Sequence, residues 1–410
     1  MANPLNSREL LVRLLLADDA QARFASREFS RLDKWPEAVR LASLWKVLPT
    51  LNRRVAALGA DVGDTAQATL HRMTAAGFVR SARSARKGVN ALVELRQKGI
   101  PAAAFKGLAA IAGLYRTPRD RFIGDVDILI RQEDLNAALV CLEALGFKPD
   151  LPGEFPDYMS FMRHFPGSAG NLTVALRDAD KCEIDVHWRL GISGQASGTG
   201  QLIQRAREAE LFGSAIPIVA PADNLILTSH HAFRENLTPD MTLRDVLDIE
   251  AWCLQLAACG ELQTALEYVA SIGLASPLLA IINIPPVFNS DSAVKPAAEL
   301  LQRLARKTEA RTARQLTNLF VLQVHQGPLN KDLSYLFHPR SLGQIAGGFL
   351  NGWSRYRSFM QDMEIKNSGR PLPISGRIRF LVRAFAGLMP AQLRMIRALA
   401  KVKGTYQNGS

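Results

Sequence analysis

Two short segments of this chain carry acidic residues at alternate positions, with branched apolar residues between them. The first segment is Asp125–Ile130, and the second covers residues 183–188. An alternation of period two places every second side chain on the same face of a β-strand. Each segment therefore predicts a strand with one polar face and one buried face. A chain with two such strands needs a sheet that buries the apolar side of both.

The residues around these segments alternate between helical and strand-like patterns. Gly99 and Gly146 each follow an apolar stretch with helical spacing, and glycine is the usual residue just after a helix. Helices are predicted at 85–98, 108–115 and 133–145, and strands at 102–105, 125–130, 173–176 and 183–188. This order favours an α+β fold: a small mixed-sheet core embedded in mostly helical N- and C-terminal regions.

The length of 410 residues predicts two or three folded units. A hydrophobic content of 48% is enough to bury real cores. We place a helical N-terminal subdomain at 1–85, the sheet-containing core at 86–195, a second helical domain at 196–365 and a basic amphipathic tail at 366–410. The Gly- and Ser-rich stretch at 191–200 supports the second of these boundaries.

The alternating acids predict a metal site. Asp125 and Asp127 point to one face of their strand, where two carboxylates repel each other unless a cation neutralises them. Asp185 would join them if its strand is a neighbour, at a spacing of about 4.8 Å. Hard oxygen ligands suit Mg²⁺, with Mn²⁺ as the alternative. His187 shares a face with Asp185 and is either an orienting partner of that carboxylate or a structural histidine.

A phosphate-binding feature is predicted close to the same residues in the sequence. Lys106 and Gly107 lie where a strand passes into a helix. Glycine permits a close backbone approach, and a helix N-terminus offers free N–H groups to an anion. Lys106 and Arg121 would add positive charge against phosphate oxygens.

These motifs together resemble a family of bacterial, uncharacterised nucleotidyltransferase-like proteins within the polymerase-beta-type nucleotidyltransferase superfamily. The resemblance covers roughly residues 40 to 250 and is sharpest at 101 to 190. The residues that carry it are Phe105-Lys106-Gly107, Leu114-Tyr115, the run from Arg121 through Gly124 to Ile130, and Glu183-Ile184-Asp185-Val186-His187-Trp188.

The resemblance implies an enzyme that transfers a nucleotidyl group from a nucleoside triphosphate to an acceptor that remains to be identified. It makes Asp125, Asp127 and Asp185 the metal ligands and catalytic residues. The residues on the phosphate side would be Lys106, Gly107, Arg121 and Gly124. The superfamily usually has Gly-Ser where this chain has Lys-Gly, as in abortive-infection-type toxins, and this leaves the nucleotide and the direction of transfer open.

The charge distribution bears on partners and location. The net charge is +12, and residues 366–410 contain nine basic residues and no acidic one. Such a tail predicts binding to an anionic membrane surface or to nucleic acid, or else a docked helical hairpin with its basic face in water. We expect a cytoplasmic protein, with the tail allowing a peripheral membrane location. The expectation follows from the lack of a signal-peptide pattern, of a long apolar span and of a disulfide-like cysteine pattern.

Two interpretations without catalysis remain open. One is a nucleotide-binding accessory protein with a degenerate version of the fold, and the other is a basic-tailed scaffold on membrane or nucleic acid. The intact trio of carboxylates favours the enzyme over both.

Weaker candidates lie beyond residue 200. His230, His231 and Asp248 would line the acceptor side of the cleft in one interpretation. In the other, which we favour, the histidines pack or cap a helix, and Arg244 with Asp248 forms a surface ion pair at i,i+4.

Overall fold

A computed structural model describes residues 6–149, 173–190, 198–236 and 243–326 of the chain. These residues form an α+β fold, as the sequence predicts. The helices are α1 Ser7–Leu16, α2 Asp19–Arg31, α3 Trp35–Leu44, α4 Leu48–Leu58, α5 Asp64–Gln97, α6 Lys106–Ala110, α7 Leu135–Ala144, α8 Thr199–Gln204, α9 Pro221–Asn236, α10 Leu243–Ala258, α11 Leu262–Ser271, α12 Ala275–Ile282, α13 Ile284–Phe288, α14 Lys295–Leu304 and α15 Lys307–Gln326. A π-helical turn, Ile111–Tyr115, continues α6, and a 3₁₀ turn, Gln132–Asp134, precedes α7.

One mixed sheet runs through the fold. Its strands are β1 Ala102–Ala104, β2 Asp125–Ile130, β3 Lys148–Pro149, β4 Thr173–Arg177, β5 Glu183–His187, β6 Arg207–Leu211 and β7 Ser214–Ile218. Their order is β3-β4-β5-β2-β1-β7-β6. The pair β2–β5 is parallel, and so is β1–β7, whereas the other neighbours are antiparallel. The mixed sheet predicted from the sequence is therefore confirmed.

The long helix α5 covers one face of this sheet and contacts β1, β2 and β7. Small residues let it approach closely. A Cβ added at Gly77 would lie 2.4 Å from the Phe122 ring, and one at Gly88 would lie 2.7 Å from Val126. The sequence predicts helices up to residue 85 and a separate helix at 85–98, whereas α5 runs unbroken from Asp64 to Gln97, with a buried face that consists partly of glycine, serine and alanine.

The other face of the sheet carries a second buried layer. Its core consists of Ala103, Phe105, Leu129, Leu202, Val219 and Leu227, which come from the sheet, α8 and α9. The helices α1–α4 pack on one another, and α3 and α4 also pack on α5. The apolar face of α1 is buried in this N-terminal group, as a helical subdomain at 1–85 requires.

The sequence misses the hairpin of β6 and β7, which falls in a stretch predicted to be mostly helical. The hairpin extends the sheet, since β7 pairs with β1 at Ala104 and Ile218. The pattern hides it because β6 is largely exposed and rich in charge, while Pro217 interrupts β7. The domain boundaries drawn from the sequence stay a prediction.

Two further predictions concern membrane-spanning helices and the basic C-terminal tail. Among the described residues, no helix combines the length and the apolar character needed to cross a membrane. The basic tail predicted at 366–410 lies outside the described residues.

Candidate active site

Strands β2 and β5 bring the predicted carboxylates together. They pair in parallel, so that Asp127 lies opposite Asp185 and Asp125 lies opposite Glu183. In-register residues on adjacent strands share a face. Val126, Ile128 and Ile130 point to the opposite face and are buried there, as predicted.

Three of these side chains converge. Within the part of the chain that the structure describes, ligand atoms of Asp127, Asp185 and His187 all lie within 4.8 Å of one another. Asp125 stands outside this group, exposed at the first position of β2. Glu183 is occupied elsewhere, since its Oε2 accepts a hydrogen bond from Arg177 Nε at 2.6 Å.

Asp127 is the most buried of the three, with 4% of its surface exposed. Its Oδ1 accepts a hydrogen bond from Lys106 Nζ at 2.7 Å and lies 3.1 Å from Nε2 of His187. Burial opposes ionisation, but the charge of Lys106 and the contact with His187 outweigh it and hold the pKa of Asp127 well below its usual range. Asp127 is therefore a stable carboxylate.

Asp185 is in the opposite electrostatic situation. Burial, and then the neighbouring charges of Asp127 and Asp125, raise the pKa of Asp185 to about 7. Its Oδ1 is buried and has no hydrogen-bond partner among the described residues. The site thus contains one paired carboxylate beside one that needs a cation or a proton.

His187 contacts a different aspartate from the one that the sequence suggests. It was predicted to orient Asp185 or to be structural, but its Nε2 faces Asp127. Its ring also meets Phe105 edge-on, with centroids 4.9 Å apart. The next residue, Trp188, is buried in the core.

Lys106 is held in an unusual backbone conformation at the start of α6. Its φ is 49°, in the left-handed region, and its backbone N donates to Oδ1 of Asn224 on α9 at 3.1 Å. Non-glycine residues occupy this region at a cost in free energy. This conformation accompanies the contact of Lys106 with Asp127 on the adjacent strand.

Arg121 lies in a buried ion pair. Its Nε and a terminal nitrogen donate to Oδ2 of Asp248 on α10, at 3.1 and 2.8 Å, while the Tyr115 hydroxyl donates to Oδ1 at 2.9 Å. Arg121 is 5% exposed and Asp248 is 1% exposed. Burial and the Asp248 charge raise the pKa of Tyr115 well above its usual value. The role of Arg121 at a phosphate stays a prediction.

This ion pair explains why residue 107 is a glycine. A Cβ at Gly107 would lie 2.7 Å from a guanidinium nitrogen of Arg121 and 2.8 Å from Ile123. Gly124, in contrast, has open space where a Cβ would be. Its carbonyl oxygen lies 3.5 Å from the Ser84 hydroxyl.

The prediction that Arg244 and Asp248 form a surface ion pair is wrong. Asp248 is buried against Arg121, and Arg244 instead donates to Oδ1 of its neighbour Asp245, at 3.3 Å.

His231 is partly buried. Desolvation, and then the positive charge of Lys106, lower its pKa to about 4, so that it is neutral at physiological pH.

Sequence reasoning missed Lys46, which lies between α3 and α4. Desolvation and the charge of Arg244 lower the pKa of Lys46, while Asp125 and Asp245 act in the opposite direction. The Lys46 side chain is exposed to solvent. The signal in the sequence is a lysine in the position after a helix where glycine is usual.

The sheet, the paired aspartates and the lysine beside them define a nucleotidyltransferase-type enzyme. The model of the uncharacterised nucleotidyltransferase family matches residues 32–286. This chain belongs to that family, as the resemblance in its motifs suggests. No curated protein matches the chain.

Solved structures with partial similarity include two antibiotic-modifying enzymes. The solution structure of the antibiotic-resistance factor ANT(2'')-Ia shares 13% identity with a TM-score of 0.32, covering 43% of this chain and 86% of that one. The crystal structure of ANT(2'')-Ia with adenylyl-2''-tobramycin has 12% identity and a TM-score of 0.30, covering 42% and 88%. Lincomycin-bound LnuA, a lincosamide antibiotic adenylyltransferase, has 14% identity and a TM-score of 0.26, covering 38% and 89%.

Proposed function

We propose that this enzyme transfers a nucleotidyl group from a nucleoside triphosphate to an acceptor hydroxyl and depends on Mg²⁺. The observation that carries the proposal is the register of β2 and β5, which sets Asp127 beside Asp185. In the reaction the acceptor oxygen bonds to the α-phosphorus while the bond to the β-phosphate oxygen breaks. Pyrophosphate leaves, and the hydroxyl proton passes to a base.

The residues present fit a divalent cation. Asp185 Oδ1 is a buried acceptor without a partner in the described part of the chain. Lys106 and His187 both contact Oδ1 of Asp127, which leaves Oδ2 as the oxygen directed to other partners. Asp127 and Asp185 would hold the ion, with Asp125 adding a third carboxylate at the exposed start of β2. Mg²⁺ would supply neutralisation of phosphate charge and alignment of the phosphate oxygens.

The side chains of the chain itself provide positioning and proton transfer. Asp185 would also help to activate the acceptor hydroxyl, whose proton would pass to the carboxylate oxygen that does not bind the ion. Lys106 lies 2.7 Å from Asp127 and brings a positive charge to the place where phosphate oxygens would approach. Catalysis of this kind depends mainly on fixed geometry and on charges arranged before the reaction begins.

The test is transfer of label from α-labelled nucleoside triphosphates into material from a cell extract. We expect a labelled product with Mg²⁺ and none after chelation. Asp185→Asn should lose transfer and stay folded. Asp180→Asn is the matched control, because Asp180 is a carboxylate near the same strands but is exposed on the turn after β4 and paired with Lys87. Binding of triphosphate without any transfer would favour the non-catalytic accessory protein, and no binding at all would overturn the proposal.

A further inference from the structure

We propose that the ammonium group of Lys106 takes the place of a second metal ion, so that the site binds a single divalent cation. The inference rests on the proposed function and deepens it, since it sets how many ions the carboxylates hold. Two-metal sites of phosphoryl-transfer enzymes hold their ions about 3.5–4 Å apart. At that distance the ions share a carboxylate, which binds each of them through a different oxygen.

The oxygens of Asp127 are the first observation. Lys106 Nζ lies 2.7 Å from Oδ1, and Nε2 of His187 lies 3.1 Å from the same oxygen. An ionised carboxylate only accepts hydrogen bonds, so both nitrogens donate to it. Nε2 of His187 therefore has no lone pair for a metal ion, and Asp127 keeps one oxygen, Oδ2, for a ligand. A carboxylate with one available oxygen cannot bridge two ions through both of its oxygens.

The way in which Lys106 is held is the second observation. Its side chain is 19% exposed, and Nζ lies 5.0 Å from the centre of the Phe105 ring. Its backbone N donates to Oδ1 of Asn224 at 3.1 Å, and the backbone N of Phe105 donates to the carbonyl oxygen of Asp127 at 3.2 Å. These contacts fix the backbone on both sides of the Phe105–Lys106 bond beside β2. A metal ion that displaced the ammonium group from Asp127 would leave a largely buried positive charge without its counter-charge, which is strongly unfavourable.

The ammonium group can also act as the ion that it replaces. It has three N–H donors, and the contact with Asp127 uses one of them. The other two can donate to phosphate oxygens, so that Lys106 links Asp127 to the triphosphate as a second cation would.

The charges of the site agree with one ion. Three ionised carboxylates beside one ammonium group leave a negative charge that a single divalent cation balances. Oδ1 of Asp185 is buried and has no partner among the described residues, so it is the acceptor left for that ion. A second divalent cation would add repulsion from both the first ion and the Lys106 ammonium group.

Lys106→Gly is the decisive variant, because it removes the ammonium group and suits the backbone of this position. Glycine adopts a φ of 49° without strain and keeps the N–H that bonds to Asn224. We expect the number of bound Mn²⁺ ions, used in place of Mg²⁺, to rise from one to two per chain. Lys106→Met, which keeps much of the side-chain volume without the charge, should do the same.

Lys181→Gly is the matched control. Lys181 also has a positive φ, of 61°, but it is exposed on the turn before β5. The same replacement there should leave the count at one ion, because the carboxylates of the site keep their contacts with Lys106.

Electron paramagnetic resonance of the full chain measures the count, with Mn²⁺ alone and with Mn²⁺ plus the α,β-methylene analogues of ATP, GTP, CTP and UTP. The signal of free Mn²⁺ gives the number of ions bound, and low-temperature spectra distinguish an isolated ion from a coupled pair. Thermal melts identify the folded variants. We expect an isolated ion in the wild type and in Lys181→Gly, and a coupled pair in both Lys106 variants.

Two ions in the wild type, or one ion in a folded Lys106 variant, would overturn this inference and leave the proposed function intact. The same holds if Lys181→Gly gains a second ion, because the change would then not come from the ammonium group at the site. A wild type that binds no Mn²⁺, alone or with any of the analogues, would overturn both the inference and the proposed function.

Discussion

Asp127 on β2 and Asp248 on α10 are both buried aspartates held by a basic residue, yet their surroundings differ. Both oxygens of Asp248 accept hydrogen bonds, one from Tyr115 and the other from the fork of Arg121. Asp127 is bonded through one oxygen and lies beside Asp185, whose own Oδ1 has no described partner. A buried polar group left unsatisfied costs free energy, and a bound cation would remove that cost at Asp185.

The comparison teaches that burial and pairing alone do not distinguish a structural ion pair from a catalytic one. What distinguishes them is whether every buried carboxylate oxygen of the group has a hydrogen-bond partner; a group in which each one has a partner is called complete here. The Arg121–Asp248–Tyr115 set is complete and joins the segment before β2 to α10. In the Asp127–Asp185 set, Oδ1 of Asp185 has no described partner, and the cation of the proposed function would satisfy it. Four predictions test this difference, in order of expected effect.

The largest effect is expected for Asp127→Asn. Loss of this carboxylate should lower Mg²⁺-dependent nucleotidyl transfer at least about a thousandfold, because it removes a group that fixes charge at the reacting phosphate. The variant should remain folded, since asparagine has nearly the same shape. Transfer assays and thermal melts measure the two effects. Full activity in a folded Asp127→Asn variant would mean that the incomplete set is not the catalytic centre.

Arg121→Met should act on stability instead. It leaves Asp248 buried without its counter-charge, which costs about 3–5 kcal/mol in the free energy of unfolding. The double variant Arg121→Met with Asp248→Asn should recover much of that loss, because no buried charge remains and Tyr115 keeps an acceptor. Urea unfolding of the three proteins measures the coupling. An Arg121→Met variant of normal stability but poor triphosphate binding would instead support the phosphate role predicted from the sequence.

Glu250 on α10 provides a third case, a carboxyl group for which burial alone raises the pKa, to about 7. The folded protein then keeps this proton to a higher pH than the unfolded chain, whose pKa is about 4.3. Stability should fall as pH rises between these values and then level off. Glu250→Gln should remove this dependence and stabilise the protein at pH 8 by about 2 kcal/mol. Urea unfolding at pH 5 and pH 8 checks it, and parallel profiles for both proteins would contradict it.

The smallest effect is expected for Gly107→Ala. The added methyl group would press on Arg121 and Ile123, which should cost about 1–2 kcal/mol because the complete ion pair resists displacement. Thermal melts and triphosphate calorimetry report the result together. Unchanged stability with a large loss of affinity would show that Gly107 serves phosphate approach rather than the packing of Arg121.

Much of the fold around the site follows from local patterns. The alternation in β2 and β5, and the glycines after α5 and α7, place those elements nearly where they lie. The hairpin of β6 and β7 could not be predicted, because an exposed edge strand has no buried face to create an apolar alternation. The continuity of α5 across residue 85 escaped prediction because small residues form much of its buried face, and they leave no apolar stripe to follow in the sequence.

By itself, the sequence determined the chemistry that this chain can carry: carboxylates at alternate positions on two strands, a lysine and glycine before a helix, and membership of a nucleotidyltransferase family. Only the tertiary structure decided the partner of each charge. It joined Arg121 to Asp248, 127 residues further along the chain, and directed Lys106 and His187 to Asp127. The physical reason is that a charge selects its partner by distance and burial, which depend on packing between elements remote in the sequence.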